Sequence, residues 1–273
     1  MMRFSCALAV AWLAASSAAA ADAASADAPV VRLHSAGSLR AAMADIAKAY
    51  GDLYGTRVEA VFGGSGGLQE RLANGEPGDV FASADMGNPQ ALTQTGKAGP
   101  TVMFARNHLC ALVRPGLKVA PENLLATMLK PSVKIGTSTP KNDPAGDYAW
   151  EMFQKADLQR PGSRATLEAK ALKIGNVPGS LAIPTGVTNA VAWLFQEKRA
   201  DIFLAYCTSA ATAESAGITT LHLPPALQVE AHYGLTVLAS ANKEAAGQFA
   251  FYILSPAGQK ILAQHGFDAP LLP

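Results

Sequence analysis

From Val58 to Leu72 the chain runs Val58-Glu59-Ala60-Val61-Phe62, then Gly63-Gly64-Ser65-Gly66-Gly67, then Leu68-Gln69-Glu70-Arg71-Leu72. This order reads as a strand, a glycine-rich turn around one serine, and a helix. Four glycines flank Ser65, so the backbone bends freely there and a ligand can approach its N–H groups closely. A turn that opens a helix also presents unpaired N–H donors and the positive end of the helix dipole. Together these features make an anion seat that uses no charged side chain.

The neighbouring segments repeat the arrangement. Val30–Ser35 predicts a first strand, Ala36-Gly37-Ser38 a turn, and Leu39–Tyr54 a helix with Leu39, Met43, Ile46, Ala47 and Tyr50 on one face. Ser38 sits where an N-cap belongs, and taken alone it reads as a plain cap. Gly55 ends this helix, Val58–Phe62 is the second strand, Leu68–Asn74 the second helix and Asp79–Asp85 the third strand. A β-α-β-α-β run implies a parallel sheet with covering helices. Ligands gather at the carboxyl ends of such strands, and both Ser38 and Ser65 lie at such ends.

Further along, Met103-Phe104 and His108–Val113 predict two separate extended segments, and Leu124–Leu129 a short helix. Val133–Thr137 predicts a strand running into a turn with Asp143-Pro144-Ala145-Gly146 and a helix from Asp147. Asp143–Gly146 on its own is an ordinary loop. Lys170–Ile174 reads as a strand, Val187–Glu197 as a helix and Ala200–Tyr206 as a buried strand. Extended segments at Leu221–Leu223 and Val229–Leu238 precede helices at Ala241–Leu254 and Pro256–His265. No internal repeat is evident. Extended segments near Met103–Val113 and His232–Ala239 suggest two crossings between lobes, with 30–107 plus 233–273 forming lobe 1 and 108–232 forming lobe 2.

Charge is close to balanced, at +1, and charged residues make up 16% of the 273. No basic run tracks nucleic acid, which excludes it as an expected partner. The first 21 residues differ in character. Met1-Met2-Arg3 is basic, Cys6–Ala15 is apolar but too short to span a membrane, and Ser16–Ala21 offers small-residue cleavage choices. A signal peptide cut after Ala21 is expected, with a periplasmic mature protein. Removing it leaves Cys110 and Cys207. In an oxidising compartment two cysteines suggest a disulfide, and the alternative is two small buried hydrophobes on strands.

The chain resembles the periplasmic molybdate-binding proteins of ABC importers, two-lobed solute-binding proteins of the type II class. The resemblance rests on Ser35-Ala36-Gly37-Ser38-Leu39, on Phe62–Leu68 followed by Gly78–Asp85, on Pro144–Ala149, on Gly186–Val191 and on Ala205-Tyr206. It implies an α/β fold, each lobe a mostly parallel sheet with covering helices, and a tetrahedral oxyanion in the cleft between lobes. By the same resemblance, Ser38, Ser65, the backbones of Ala145 and Val187, and Tyr206 surround molybdate or tungstate. It further implies a non-enzymatic monomer without a cofactor that delivers its anion to a membrane permease. Thr139 stands where members often have Asp, and Cys207 where Gly is common. Arg40 and Lys141 lie near two of the turns as solvated cations or as aids to anion affinity.

Two rival readings remain. Gly63–Gly67 also fits the nucleophile elbow, which would make Ser65 a hydrolase nucleophile with Asp201 and His232 or His265. A different oxyanion such as sulfate would suit the same seat. His34, His108, His222, His232 and His265 show no metal-ligand spacing, and no metal site is expected.

Overall fold

The computed structural model describes residues 29–270. The segment read as a signal peptide, residues 1–21, and its cut after Ala21 lie outside the described residues. No helix among the described residues is long and apolar enough to cross a membrane.

The strands are β1 (Val30–Ala36), β2 (Arg57–Gly63), β3 (Val80–Ser83), β4 (Val102–Val113), β5 (Ile135–Ser138), β6 (Ala171–Ile174), β7 (Ile202–Tyr206), β8 (Thr219–His222) and β9 (Glu230–Val237). The helices are α1 (Arg40–Tyr54), α2 (Ser65–Ala73), α3 (Gly87–Gln94), α4 (Leu124–Met128), α5 (Pro144–Gln159), α6 (Ser163–Lys170), α7 (Ala190–Gln196), α8 (Ala210–Ser215), α9 (Lys243–Leu254) and α10 (Pro256–Gln264).

The strands fall into two half-sheets that share β4. One runs β2-β1-β3-β9-β4, the other β6-β5-β7-β4-β8. In each, three parallel strands are followed by an antiparallel one and then a strand that reverses again. The topology therefore repeats although the sequence does not. The α/β fold with two halves matches the expected architecture.

β4 is one strand where the sequence predicts two segments. Arg106 and Asn107 interrupt the apolar pattern, but β9 supplies their ladder, and their side chains find Glu230, Thr208 and Tyr233. Residues Val102–His108 pair with β9, and Leu109–Val113 pair with β7 and β8. The strand thus runs from one half into the other.

Several helices start elsewhere than expected. A 3-10 turn, Gly37–Leu39, precedes α1, so Ser38 is not its cap and makes no cap bond. α1 ends as predicted at Gly55, whose φ of 68° suits glycine. α2 begins at Ser65 itself, three residues before the predicted start. α5 begins at Pro144 because the Asp143 carboxylate accepts from Ala145 N and proline suits a first helical position. α7 begins at Ala190, not Val187, because the Asn189 side chain caps it through Ala192 N. Three short helices, α3, α6 and α8, have no counterpart in the sequence expectations; α6 buries only Ser163 and Leu167, and α8 only Ala213.

Among the described residues the buried apolar side chains form four cores. The first packs α1, α9 and α10 on β1, β3, β4 and β9, and it takes in Ala145 and Tyr206 from the other half. Two more lie on the second half-sheet, and a small one lies under α2 and α3. Ala145 and Tyr206, both expected ligand contacts, are thus packed against the facing half.

Candidate functional site

The glycine-rich turn meets the turn before α5 across the cleft. Gly66 N and Gly67 N both donate to Asn142 O, at 3.1 and 3.3 Å. The open donors at the start of α2 therefore serve a protein carbonyl from the facing half. The fit is backbone on backbone. A Cβ on Gly66 would lie 1.8 Å from Lys141 O, and one on Gly64 would lie 2.4 Å from Asn142 O. Glycine is required here because nothing larger lets the two halves approach.

Ser65 is fully buried, and its Oγ accepts from Ala84 N at 3.0 Å. An accepting hydroxyl still has its proton to donate. Ser38, partly exposed, lies 3.0 Å from the Tyr233 hydroxyl. Asn107 Nδ2 donates to that phenol at 3.3 Å and to Thr208 Oγ1 at 2.9 Å.

Tyr206, at the end of β7, packs against Tyr233 and Tyr148 with ring centroids 5.7 and 6.2 Å apart. Tyr148 in turn donates to Ala84 O at 3.2 Å, one residue's carbonyl from the N–H that Ser65 accepts. Ser38, Ser65, Ala145 and Tyr206 are thereby brought to one cleft.

The Tyr206 hydroxyl is buried and has no hydrogen-bond partner. Burial is the main cause that drives its pKa well above the ordinary phenol value, with Tyr233, Asp143 and Tyr148 adding. It remains a neutral donor at any physiological pH. Unpartnered buried hydroxyls are uncommon, and each calls for an explanation. Tyr206→Phe is expected to leave unliganded stability unchanged or slightly raised, since no protein hydrogen bond is lost, while ligand affinity falls by about 1–3 kcal/mol. Paired thermal melts and titrations check this; a drop in melting temperature with unchanged affinity would assign the hydroxyl to folding.

Ala145 N–H is directed to Asp143 Oδ1 at 3.1 Å. Asp143 keeps some solvent contact, yet the protein around it raises its carboxyl pKa, burial being the larger cause and the Asp85 carboxylate adding. Val187 lies three residues before α7, and its N–H donates to Pro184 O at 3.2 Å, closing a turn. Arg40 stacks over the Phe62 ring at 4.5 Å, and Lys141 is exposed.

Tyr233, Asn107, Tyr148 and Asp143 are the cleft residues that sequence reading passed over. The first three carry no local pattern. Asp143-Pro144 does carry one, since an acidic residue before proline is a helix-start signature.

The hydrolase alternative fails on geometry. Asp201 binds Arg114 and Lys134 N, His232 binds Glu230, and His265 binds Asp45, while the Ser65 hydroxyl meets Ala84 N and neither histidine. Cys110 and Cys207 are joined in a disulfide, so the alternative of two separate buried thiols does not hold. His222 lies within 4.8 Å of both sulfurs. With the sulfurs bonded to each other, this group offers no thiolate to a metal.

The family model for bacterial extracellular solute-binding proteins matches residues 31–268. The chain belongs to this family. Uncharacterized protein PM1146 of Pasteurella multocida (strain Pm70) is 34% identical over 239 residues, covering 87% of this chain and 98% of that protein. Molybdate-binding protein ModA of Escherichia coli (strain K12) is 26% identical over 260 residues, covering 93% and 95%. Among solved structures, the periplasmic molybdate-binding protein of Azotobacter vinelandii superposes with a TM-score of 0.70 at 20% identity, covering 88% of this chain and 100% of that one. The sulfate-binding protein SubI of Mycobacterium tuberculosis H37Rv superposes with a TM-score of 0.69 at 19% identity, covering 88% and 87%. The solute-binding family is one of binders, not of enzymes, and the two-lobed fold expected from the resemblance is that of these structures.

Proposed function

We propose that this solute-binding protein acts in the periplasm, captures a tetrahedral oxyanion in its cleft, and delivers it to the permease of an ABC importer. Molybdate, with tungstate, is the proposed cargo. The observation that carries the proposal is the convergence of Ser38, Ser65 and Tyr206 on one cleft, with the Tyr206 hydroxyl buried and unpartnered. A buried dianion needs donors at its oxygens, and hydroxyls and N–H groups meet that need without a buried cation. The names of the molybdate-binding relatives support the choice of anion. The sulfate-binding neighbour supports the second reading, sulfate in the same seat.

Ser38, Ser65, Ala145, Val187 and Tyr206 are the proposed contacts. For Ala145 and Val187, the N–H must be shared or released from Asp143 and Pro184 when the anion arrives. The hinge is proposed at β4 between His108 and Leu109 and on the return at Val229–Glu230, where Leu109 N donates to Val229 O. The protein is proposed to act as a monomer without a cofactor, after removal of its signal peptide.

Isothermal titration with molybdate, tungstate, sulfate and phosphate tests this. No heat and no thermal shift with any of the four, using folded protein, would sink the proposal. Ser38→Ala and Ser65→Ala are each expected to weaken binding by about 1–3 kcal/mol, because each hydroxyl meets a charged oxygen. Ser65→Ala also leaves Ala84 N unpaired, so its melting temperature falls as well.

A further inference from the structure

The cleft is not a cage of neutral donors alone. Asp143 sets a carboxylate on Ala145 N, one of the N–H groups proposed for the anion. Its Cβ lies where a Cβ on Gly64 would be 3.2 Å away, on the facing half. One carboxylate oxygen, Oδ1, accepts from Ala145 N. Burial raises its carboxyl pKa and the Asp85 carboxylate after β3 adds to this, while the Ala145 N–H and the Ser138 side chain at the end of β5 oppose it. Tyr206 at the end of β7, Tyr233 on β9 and Asp147 on α5 are the other titratable groups set around it. Lys141, two residues before it, is exposed, and its backbone N–H serves Asp147. No Arg or Lys forms an ion pair with Asp143 among the described residues.

A second anion in the same enclosure meets a carboxylate at close range. Like charges that share a site hold a proton between them, because both cannot stay ionised together. A carboxylate oxygen can accept a hydrogen bond but cannot donate one, so a fully deprotonated anion offers it nothing. An anion that carries its own proton can donate to Asp143. One that carries none needs Asp143 itself protonated.

Resting on the reading of an oxyanion in this cleft, we propose that Asp143 is a specificity-determining residue that makes the bound complex hold one shared proton. It thereby ranks oxyanions by how well they bring or accept that proton. Hydrogen phosphate brings one. Molybdate, the base of a weak acid, accepts a strong hydrogen bond from a protonated Asp143. Sulfate, the base of a strong acid, accepts the weakest and is disfavoured. The proton comes from solvent and is taken up on Asp143 when an aprotic anion binds.

The test compares the wild type with Asp143→Asn and Asp143→Ser, both of which keep a helix-capping side chain and remove the charge. Inorganic phosphate and sulfate are the key pair, since they are close in size and differ in the proton. At pH 8 the wild type is expected to prefer phosphate over sulfate by at least about tenfold, and both variants to bring the ratio within about threefold, mainly by tightening sulfate. Titration with molybdate in two buffers of different ionisation enthalpy should show uptake of about one proton per anion in the wild type and none in the variants. Wild-type molybdate affinity should also fall as pH rises from 6 to 8, while that of the variants stays flat. An unchanged phosphate-to-sulfate ratio in both variants, or molybdate binding by the wild type without proton uptake, overturns the assignment. Absence of binding by all three proteins to all three anions overturns the oxyanion reading instead.

Discussion

Gly66→Ala is expected to weaken oxyanion binding by about 3 kcal/mol, roughly a hundredfold, while the unliganded protein stays folded. The added methyl would sit 1.8 Å from Lys141 O and 2.9 Å from Lys141 C. Those are backbone atoms and cannot swing aside, so the two halves must stand apart. The backbone at Gly66 is not left-handed and lies in the first turn of α2, where alanine is the better helix former by about 1 kcal/mol. The substitution therefore strains nothing within its own half and acts only on the approach of the other. Gly67→Ala is the control, since its Cβ would meet only the side-chain Asn142 Oδ1 at 3.1 Å, and that group can turn away. A ligand can draw the halves together only by as much as it prefers the closed form, so a clash in that form subtracts directly from affinity. Titration and small-angle scattering with and without molybdate measure both consequences. A Gly66→Ala protein that binds as tightly as the wild type and still contracts on binding would show that this contact is not made in the bound state.

The same contact marks how far the sequence could be read. The strand-turn-helix at Ser65 was legible because glycines, apolar alternation and helix periodicity are all local signals. Its use was only partly legible. The N–H groups of Gly66 and Gly67 are donors, as a helix start requires, but they meet Asn142 O, which comes from a turn more than seventy residues on. Ser38 shows the same limit: its position at a strand end is a local fact, while its partner Tyr233 lies 195 residues away. β4 was split in two because Arg106 and Asn107 look like a break until β9 is laid beside them. The start of α7 was misplaced because Asn189, a strong cap, was outweighed by the apolar Val187. Asp143 is visible as a residue, and nothing in the chain around it tells that a glycine of the facing half, Gly64, comes up against its side chain.

Loss of the Cys110–Cys207 bridge is expected to cost about 4 kcal/mol of unliganded stability, lowering the melting temperature on the order of 10 °C. The bridge closes a loop with a sequence separation of 97 residues, long enough for the restriction of the unfolded chain to dominate. It also does something local. Cys110 lies on β4, paired with Ala205, and Cys207 directly follows Tyr206. The covalent tie therefore fixes the residue beside the unpartnered phenol to the strand that both halves share. Urea unfolding of the Cys110→Ser, Cys207→Ser double variant against the wild type measures the first effect, and a stability loss under 1 kcal/mol would remove it. The second effect is read by a thermodynamic cycle. If the bridge serves ligand binding by holding Tyr206 in place, Tyr206→Phe should weaken binding by less in the bridge-free protein than in the wild type, because the hydroxyl it removes is no longer held on the anion. Equal losses in both backgrounds would mean that β7 alone positions Tyr206 and that the bridge contributes to stability only.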